Sequence, residues 1–281
     1  MAESNTINAL LVAAQREAPA IDPLDAQILL AWVLVRSRAW LYAHARDPVD
    51  GTAAARFLAL WRRRCEGEPY AYLVGEREFY GRSFRVTPAV LVPRADTECL
   101  LEAALDCWPA KASGTVVDAG TGSGALAVSF ALERPQSKII AIDLSAAALA
   151  VAQTNARNLG ARVDFVRGSW FDAFAEASID LLISNPPYLS SDDPHLTEGG
   201  LAFEPLEALV AGPAGLEDIE HLSREARRVL RPASWLLFEH GSSQGAAVRE
   251  ILVNNGFIKI ETRFDLEGRE RISMAQKRAR E

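Results

Sequence analysis

The sequence predicts an α/β fold in which a parallel sheet is covered by helices on both faces. Three observations predict it. From Ser113 onward, short apolar runs alternate with helical segments. Those runs are continuous rather than alternating, as expected of strands buried on both faces. A glycine-rich turn joins the first strand to its helix, the place where such sheets bind ligands.

The elements follow in order. Residues 1–68 read as helical, with apolar residues at helical spacing through Ile28, Leu29, Ala31, Trp32 and Val35. Asp22-Pro23 is a helix start. A further helix is expected over 51–65, where Arg62, Arg63 and Arg64 suit its C-terminal dipole. Residues 69–95 mix aromatic and β-branched residues with Gly75, Gly81 and Pro88, and predict a hairpin connector. Strands are then expected at 115–119, 138–143, 162–167, 179–184, 235–239, 257–264 and 269–274. Helices are expected at 125–134, 145–158, 216–230 and 244–254.

Composition narrows the function classes. The 281 residues are 49% hydrophobic and 24% charged, the balance of an ordinary globular chain. The net charge is −7. Nucleic-acid binders carry a basic excess to neutralise phosphates, so no stable nucleic-acid partner is expected. Residues 1–68 hold eight basic and eight acidic residues, so the acidic excess lies in the rest of the chain. Cys65, Cys99 and Cys107 are odd in number and lack CxxC spacing, which points to a reducing cytoplasm rather than a disulfide framework. His44, His195, His221 and His240 are scattered, and no metal is expected. The N-terminus lacks the basic and apolar regions of a signal peptide. The apolar run Ile28–Val35 is far too short to cross a bilayer, so no membrane association is expected.

The chemistry is carried by three motifs. The first strand runs into VVDAGTGSGAL, with Gly120, Thr121, Gly122, Ser123 and Gly124 at the turn into the helix. Glycine accepts positive φ and lets backbone approach a ligand closely. The second is Asp143, 23 residues after Gly120 at the end of the next strand, where a carboxylate reaches a ribose diol. A charge-assisted bond of that kind contributes on the order of 1.5–3 kcal/mol. Gly120, Gly122 and Ala125 also satisfy the looser dinucleotide pattern, so these two motifs fit a nicotinamide oxidoreductase as well as an S-adenosylmethionine enzyme.

Asn185-Pro186-Pro187-Tyr188, placed where the strand at 179–184 ends, separates these classes. A sulfonium methyl group is already activated, and the difficulty lies in the acceptor. The lone pair of an amide or conjugated amino nitrogen is delocalised. Two acceptors, the Asn185 side-chain oxygen and the Pro186 carbonyl, can bond its N–H groups and stabilise the charge that develops on attack. The prolines fix φ and stiffen the loop. Tyr188 can stack on the planar group. A glutamine amide, an adenine amino group and a cytosine amino group satisfy this logic equally. The alternative function is therefore amino-methylation of adenine or cytosine in nucleic acid.

The chain closely resembles the release-factor glutamine methyltransferases of the HemK/PrmC type. The resemblance rests on these motifs and on GEPYAYLVGEREFYG, VTPAVLVPRADTE, DPHL, FEPLEAL and EHG. It implies a seven-stranded Rossmann-like class I methyltransferase sheet over 96–281, a helical substrate-docking domain over 1–68 and a β-hairpin linker over 69–95. It implies S-adenosylmethionine as methyl donor, held by residues 120–124, Asp143, Trp170 and Asn185. Residues 185–188 would form the acceptor pocket, with Asn185, Pro186 and Tyr188 catalytic. The implied substrate is the glutamine of the Gly-Gly-Gln loop of class I peptide chain release factors. Ser169 stands where family members often have Asp, and Ala95 where proline is common. Arg94 and Glu204, in matching segments, are candidate substrate contacts or an ion pair.

Overall fold

The computed structural model describes residues 5–279 apart from Ala173 and Glu198. The two ends of the expected helical and methyltransferase segments, 1–4 and 280–281, therefore lie outside the described residues. The chain divides into two compact units, one of residues 1–75 with 197–203 and one of 76–196 with 204–281.

The first unit is helical: α1 (Ile7–Glu17), α2 (Pro23–Leu34), α3 (Arg38–Ala43), α4 (Gly51–Cys65) and α5 (Tyr70–Val74). Each of the first four starts on a side chain that satisfies free backbone N–H groups, from Thr6, Asp22, Ser37 and Asp50. Leu29, Leu30, Phe57 and Trp61 are fully buried in its core. Two of the three arginines ending α4 are engaged in ion pairs, Arg63 with Glu68 at 2.5 Å and Arg64 with Asp25 at 2.8 Å. The helix α5 falls inside the segment expected as a hairpin, and Gly75 ends it at φ +82°. Residues 197–203, distant in sequence, join this unit. A Cβ on Gly67 would lie in ordinary contact with Phe203, at 3.4 Å, and one on Gly200 a tight 3.2 Å from Pro69.

The second unit opens with the hairpin β1 (Glu76–Phe79) and β2 (Arg82–Arg85). Tyr80 and Gly81 both take positive φ, the requirement of the tight turn whose twist matches a hairpin. Phe79 and Phe84 stack edge to face at 6.0 Å and are buried in the same core as the sheet. The next helix, α6 (Asp96–Cys107), goes beyond the sequence expectations, which assign no element between the connector and the first strand.

The main sheet is built from β3 (Thr115–Ala119), β4 (Lys138–Asp143), β5 (Asp164–Arg167) and β6 (Ile179–Ser184), with α7 (Ala125–Glu133) and α8 (Ala146–Leu159) as crossovers. A short pair, β7 (Leu189–Ser190) and β8 (Val210–Gly212), leads to α9 (Glu217–Val229), β9 (Leu230–Glu239), α10 (Gly245–Asn254), β10 (Ile258–Phe264) and β11 (Glu270–Gln276). The seven strands lie in the order β10-β11-β9-β6-β3-β4-β5. The expected parallel arrangement holds except at β11, which pairs antiparallel with both β9 and β10. The strand β9 begins five residues before the expected Trp235. Pro232 and the left-handed Ala233 (φ +64°) mask that extension in the sequence.

Alternate residues of each strand face opposite cores. Val116, Leu181 and Leu237 join α6 and α7 on one face, while Val117, Leu182 and Leu236 join α9 and α10 on the other. The chain leaves β3 in one direction through β4 and β5, then returns to β3's other side with β6. The switch point therefore lies between the carboxyl ends of β3 and β6. Among the described residues no helix is long and apolar enough to cross a membrane.

Asn155 on α8 ties the hairpin to this frame. Its Oδ1 accepts from Arg85 N at 2.8 Å, and its Nδ2 donates to Arg85 O at 3.0 Å and to Ser123 O at 2.8 Å. Asn155→Ala leaves the part-buried Arg85 groups and the buried Ser123 carbonyl unpaired, and chemical denaturation is expected to show a loss of about 2–4 kcal/mol. A loss under about 0.5 kcal/mol, the level of an ordinary surface substitution, would contradict this role.

Candidate functional site

Two loops meet at the switch point because β3 and β6 are adjacent, and Ser184 Oγ donates to Ala119 O at 2.6 Å across their carboxyl ends. The first loop is the glycine turn. Gly120 N and Thr121 N both donate to Ile142 O, at 2.9 and 2.8 Å. Gly120, Gly122 and Gly124 all have positive φ. Among the described residues, a Cβ on Gly122 would meet nothing within 4 Å, so this residue borders open space. A Cβ on Gly124 would lie 3.0 Å from Ala152 Cβ, so Gly124 serves close packing of the loop on α8.

Asp118 braces the loop from below. Its Oδ2 accepts from Thr121 Oγ1 at 2.6 Å and from Ala127 N at 3.1 Å. Its Oδ1 has no hydrogen-bond partner among the described residues. Burial pushes its pKa up to about 7 against those two bonds.

Asp143 ends β4 beside the loop. Its Oδ2 accepts from Gly122 N at 2.8 Å and its Oδ1 from Ser145 N at 2.9 Å. Burial raises its pKa, and the N–H groups of Ser145, Gly122 and Leu144 oppose the rise. Ser145, whose Oγ accepts from Ala148 N, caps α8. Asp143 is thus fixed by the loop while the lone pairs left over remain for a ligand. Trp170 takes a left-handed backbone (φ +44°), and its ring would be 3.4 Å from a Cβ on Gly120. That distance is ordinary contact, and glycine at 120 is favoured by its φ of +75°.

The second loop follows β6. Asn185 Nδ2 donates to Thr97 Oγ1 at 3.1 Å. The far end of the loop is clamped by Gln244, whose Nε2 donates to both Tyr188 O and Gly215 O at 3.0 Å. A Cβ on Gly215 would lie 2.6 Å from Tyr188 O, so only glycine fits there. Burial raises the pKa of the Tyr188 phenol, with Glu239 adding to the rise and Arg271 and Arg94 opposing it.

These loops border a cavity of about 570 Å³, within the range of small-ligand sites. Of the residues singled out in the sequence, Gly120, Thr121, Gly122, Ser123, Asp143, Trp170, Asn185 and Pro187 line it. Gly124, Pro186 and Tyr188 do not. Ser169 lines it, whereas the nearby Asp172 is exposed and outside the lining.

Residue chemistry alone points to neither of two further walls. One is the stretch after the hairpin, with Val90, Leu91 and Thr97. The other is Pro205, Glu207 and Ala208. The only sequence signal for either is the family-like segments containing them. Arg94 and Glu204 bind each other at 2.5 Å, and Glu204 Oε2 accepts from Val92 N at 3.1 Å. That buried carboxylate therefore holds the first wall in place. Asp143, Glu207 and Asp218 put carboxylates on the lining, against Arg94 and Arg167. Among the described residues, no cluster of three or more potential metal ligands occurs.

Comparison with known proteins agrees with this architecture. Residues 97–198 match the methyltransferase small domain, and residues 8–75 match the PrmC N-terminal domain. The release factor glutamine methyltransferase of Bordetella pertussis is 47% identical over 91% of this chain and 95% of its own length. That of Burkholderia pseudomallei is 46% identical over 90% and 91%. That of Escherichia coli is 40% identical, also over 90% and 91%. Among solved structures, a methyltransferase from Pyrococcus furiosus superposes with a TM-score of 0.54 at 16% identity, over 82% of this chain and 100% of its own. A T. thermophilus 16S rRNA methyltransferase in complex with AdoMet and guanosine gives 0.53 at 17% identity, over 72% and 50%. These two likenesses concern the fold, a class I methyltransferase sheet. The sequence relatives span nearly the whole chain, which belongs to the family of release factor glutamine methyltransferases.

Proposed function

We propose that this protein transfers a methyl group from S-adenosylmethionine to the side-chain amide nitrogen of the glutamine in the Gly-Gly-Gln motif of class I peptide chain release factors. The observation that carries the reading is the cavity at the switch point, bordered on one side by the glycine loop and Asp143 and on the other by Asn185. Its size, the open space at Gly122 and the acidic lining suit a nucleoside that bears positive charge. When bound, S-adenosylmethionine supplies an activated methyl group. The chain has the remaining tasks. Asp143 accepts from the ribose hydroxyls, and Trp170 lies against the adenine. Asn185 Oδ1 and the Pro186 carbonyl accept the two N–H groups of the glutamine amide and fix its lone pair toward the methyl. Tyr188, outside the cavity lining, is assigned to stacking on the planar amide. The methylated nitrogen sheds its proton to solvent without a general base.

The helical residues 1–68 are assigned to docking the release factor, 69–95 to linking, and 96–281 to methyl transfer in the cytoplasm. Nothing observed favours an adenine or cytosine acceptor, and the net charge of −7 opposes one.

Labelled S-adenosylmethionine incubated with a purified class I release factor should label it. The same factor with its Gly-Gly-Gln glutamine substituted should stay unlabelled, and label on both would refute the assigned acceptor. In Asn185→Ala, kcat should fall on the order of a hundredfold while S-adenosylmethionine still binds. Near-normal turnover would sink the acceptor mechanism. In Asp143→Ala, the Kd for S-adenosylmethionine measured by calorimetry should rise about tenfold or more, and an unchanged Kd would remove the ribose role. Deleting residues 1–68 should raise KM for the release factor more than Kd for S-adenosylmethionine. Equal changes would argue for a purely structural role.

A further inference from the structure

A buried carboxylate lies behind the acceptor loop without a part in the mechanism above. Glu239 ends β9 and is 1% exposed. The Thr97 and Asn185 side chains lie close enough to its carboxyl to hold its pKa down. Its Oε2 has no hydrogen-bond partner among the described residues. Thr97 Oγ1 also accepts from Asn185 Nδ2 at 3.1 Å. The three side chains come from β9, α6 and the loop after β6, and meet beside the cavity that Thr97 and Asn185 line.

We propose that Glu239 and Thr97 are positioning residues that fix which end of the Asn185 amide faces the substrate. An asparagine amide presents an acceptor oxygen or a donor NH₂ according to a half-turn of its side chain, and only the oxygen can receive an N–H of the glutamine amide. An ionised carboxylate accepts and cannot donate. Thr97 must therefore give its hydroxyl proton to Glu239 and offer its lone pairs to Asn185. Asn185 must then turn its NH₂ toward this pair, which leaves Oδ1 for the substrate. The chain of bonds runs in one direction because it ends on a carboxylate.

Protonated Glu239 becomes a donor, and the direction is lost. Thr97 is then free to donate to Asn185, and the amide can turn its NH₂ outward. Burial pushes the Glu239 pKa up to about 7, against the bonds from Thr97 and Asn185 and the charge of Arg271, with Asp96 adding to the rise. The other titratable groups in its field are Tyr188 and Cys99. Arg271 is itself held by Asp96 at 3.1 Å and Asp265 at 3.3 Å. Ionised Glu239 is the working form, so turnover is retained above about pH 7 and declines as pH falls through it.

The inference rests on Asn185 being the acceptor of the substrate N–H, and the experiment separates the two ideas. The rate of methyl transfer to a class I release factor is measured against pH, with S-adenosylmethionine saturating and its Kd determined in parallel. Asp118, also pushed up to about 7, lies under the glycine loop, and the Kd measurement reports on it separately. Wild-type kcat should fall about tenfold as pH drops through the pKa and then level off. Glu239→Gln presents a donor NH₂ beside its accepting oxygen, as the protonated acid does, and does not titrate, so its kcat should lie near the acid-side wild-type value and its profile should flatten. Thr97→Val should lower kcat about tenfold with Kd unchanged, and Thr97→Ser, which keeps the hydroxyl, should restore it. An acid limb that persists in Glu239→Gln, or full turnover in Thr97→Val, overturns the proposal. Full turnover in Asn185→Ala overturns the acceptor reading instead.

Discussion

The site depends on one adjacency, the pairing of β3 with β6 in the middle of the sheet. Val117 faces Leu182 across this pair, and Ser184 Oγ bonds Ala119 O where the two strands end. Each strand is rigid because its side chains are buried on both faces, and each releases a loop at the same end. The glycine turn and the Asn-Pro-Pro-Tyr turn are therefore held close without needing to touch. A slip of one residue in β6 would exchange its two buried faces. It would also carry Asn185 along the strand by about 3.3 Å, the length of a hydrogen bond. Core packing and site geometry are thus enforced by the same register.

Around that adjacency the chain concentrates buried carboxylates at strand ends. Asp118 near the end of β3, Asp143 at the end of β4 and Glu239 at the end of β9 all have pKa values raised by burial. Keeping them there costs desolvation energy. Each returns geometry. Asp118 ties Thr121 to the start of α7, Asp143 ties Gly122 to the start of α8, and Glu239 engages Thr97 and Asn185. Each joins elements that are separated in sequence or change direction, and a neutral hydroxyl would do so with weaker bonds. The same carboxylates put negative potential at the end of the sheet where a sulfonium would lie.

Much of this was legible in the sequence, and the parts that were not share a cause. The strands 115–119, 138–143 and 179–184 stood out because burial on two faces leaves uninterrupted apolar runs. The glycine loop, Asp143 and Asn185 stood out because each lies just past such a run. Thr97, Gln244 and Gly215 had no comparable signal, whereas Glu204 was singled out with Arg94 and pairs with it. Their importance comes from contacts over long sequence separations, such as Asn185 with Thr97 and Gln244 with Tyr188. No local pattern encodes a partner so far away. The extension of β9 was hidden for a different reason, since Pro232 reads locally as a strand breaker. The β11 reversal was hidden because direction is a property of pairing and not of composition.

The loop after β6 also shows why its two prolines do not suffice. Proline fixes φ at its own position and leaves ψ and the neighbouring side chains to be set by others. Here the beginning of the loop is held through Asn185 and Thr97, and its end through Tyr188 O and Gln244. Gln244 is oriented in turn, because its Oε1 accepts from Gly241 N at 2.8 Å, so its NH₂ must face Tyr188 and Gly215. The two ends of the acceptor loop are thus treated alike: an amide side chain has its rotation fixed by a partner of known polarity. At Gln244 the partner is a backbone N–H, which cannot titrate, and that end is constant with pH. At Asn185 the bond to Thr97 leads toward a carboxylate whose pKa burial pushes up to about 7. Under the proposed assignment, only the end that would face the substrate amide is sensitive to protons.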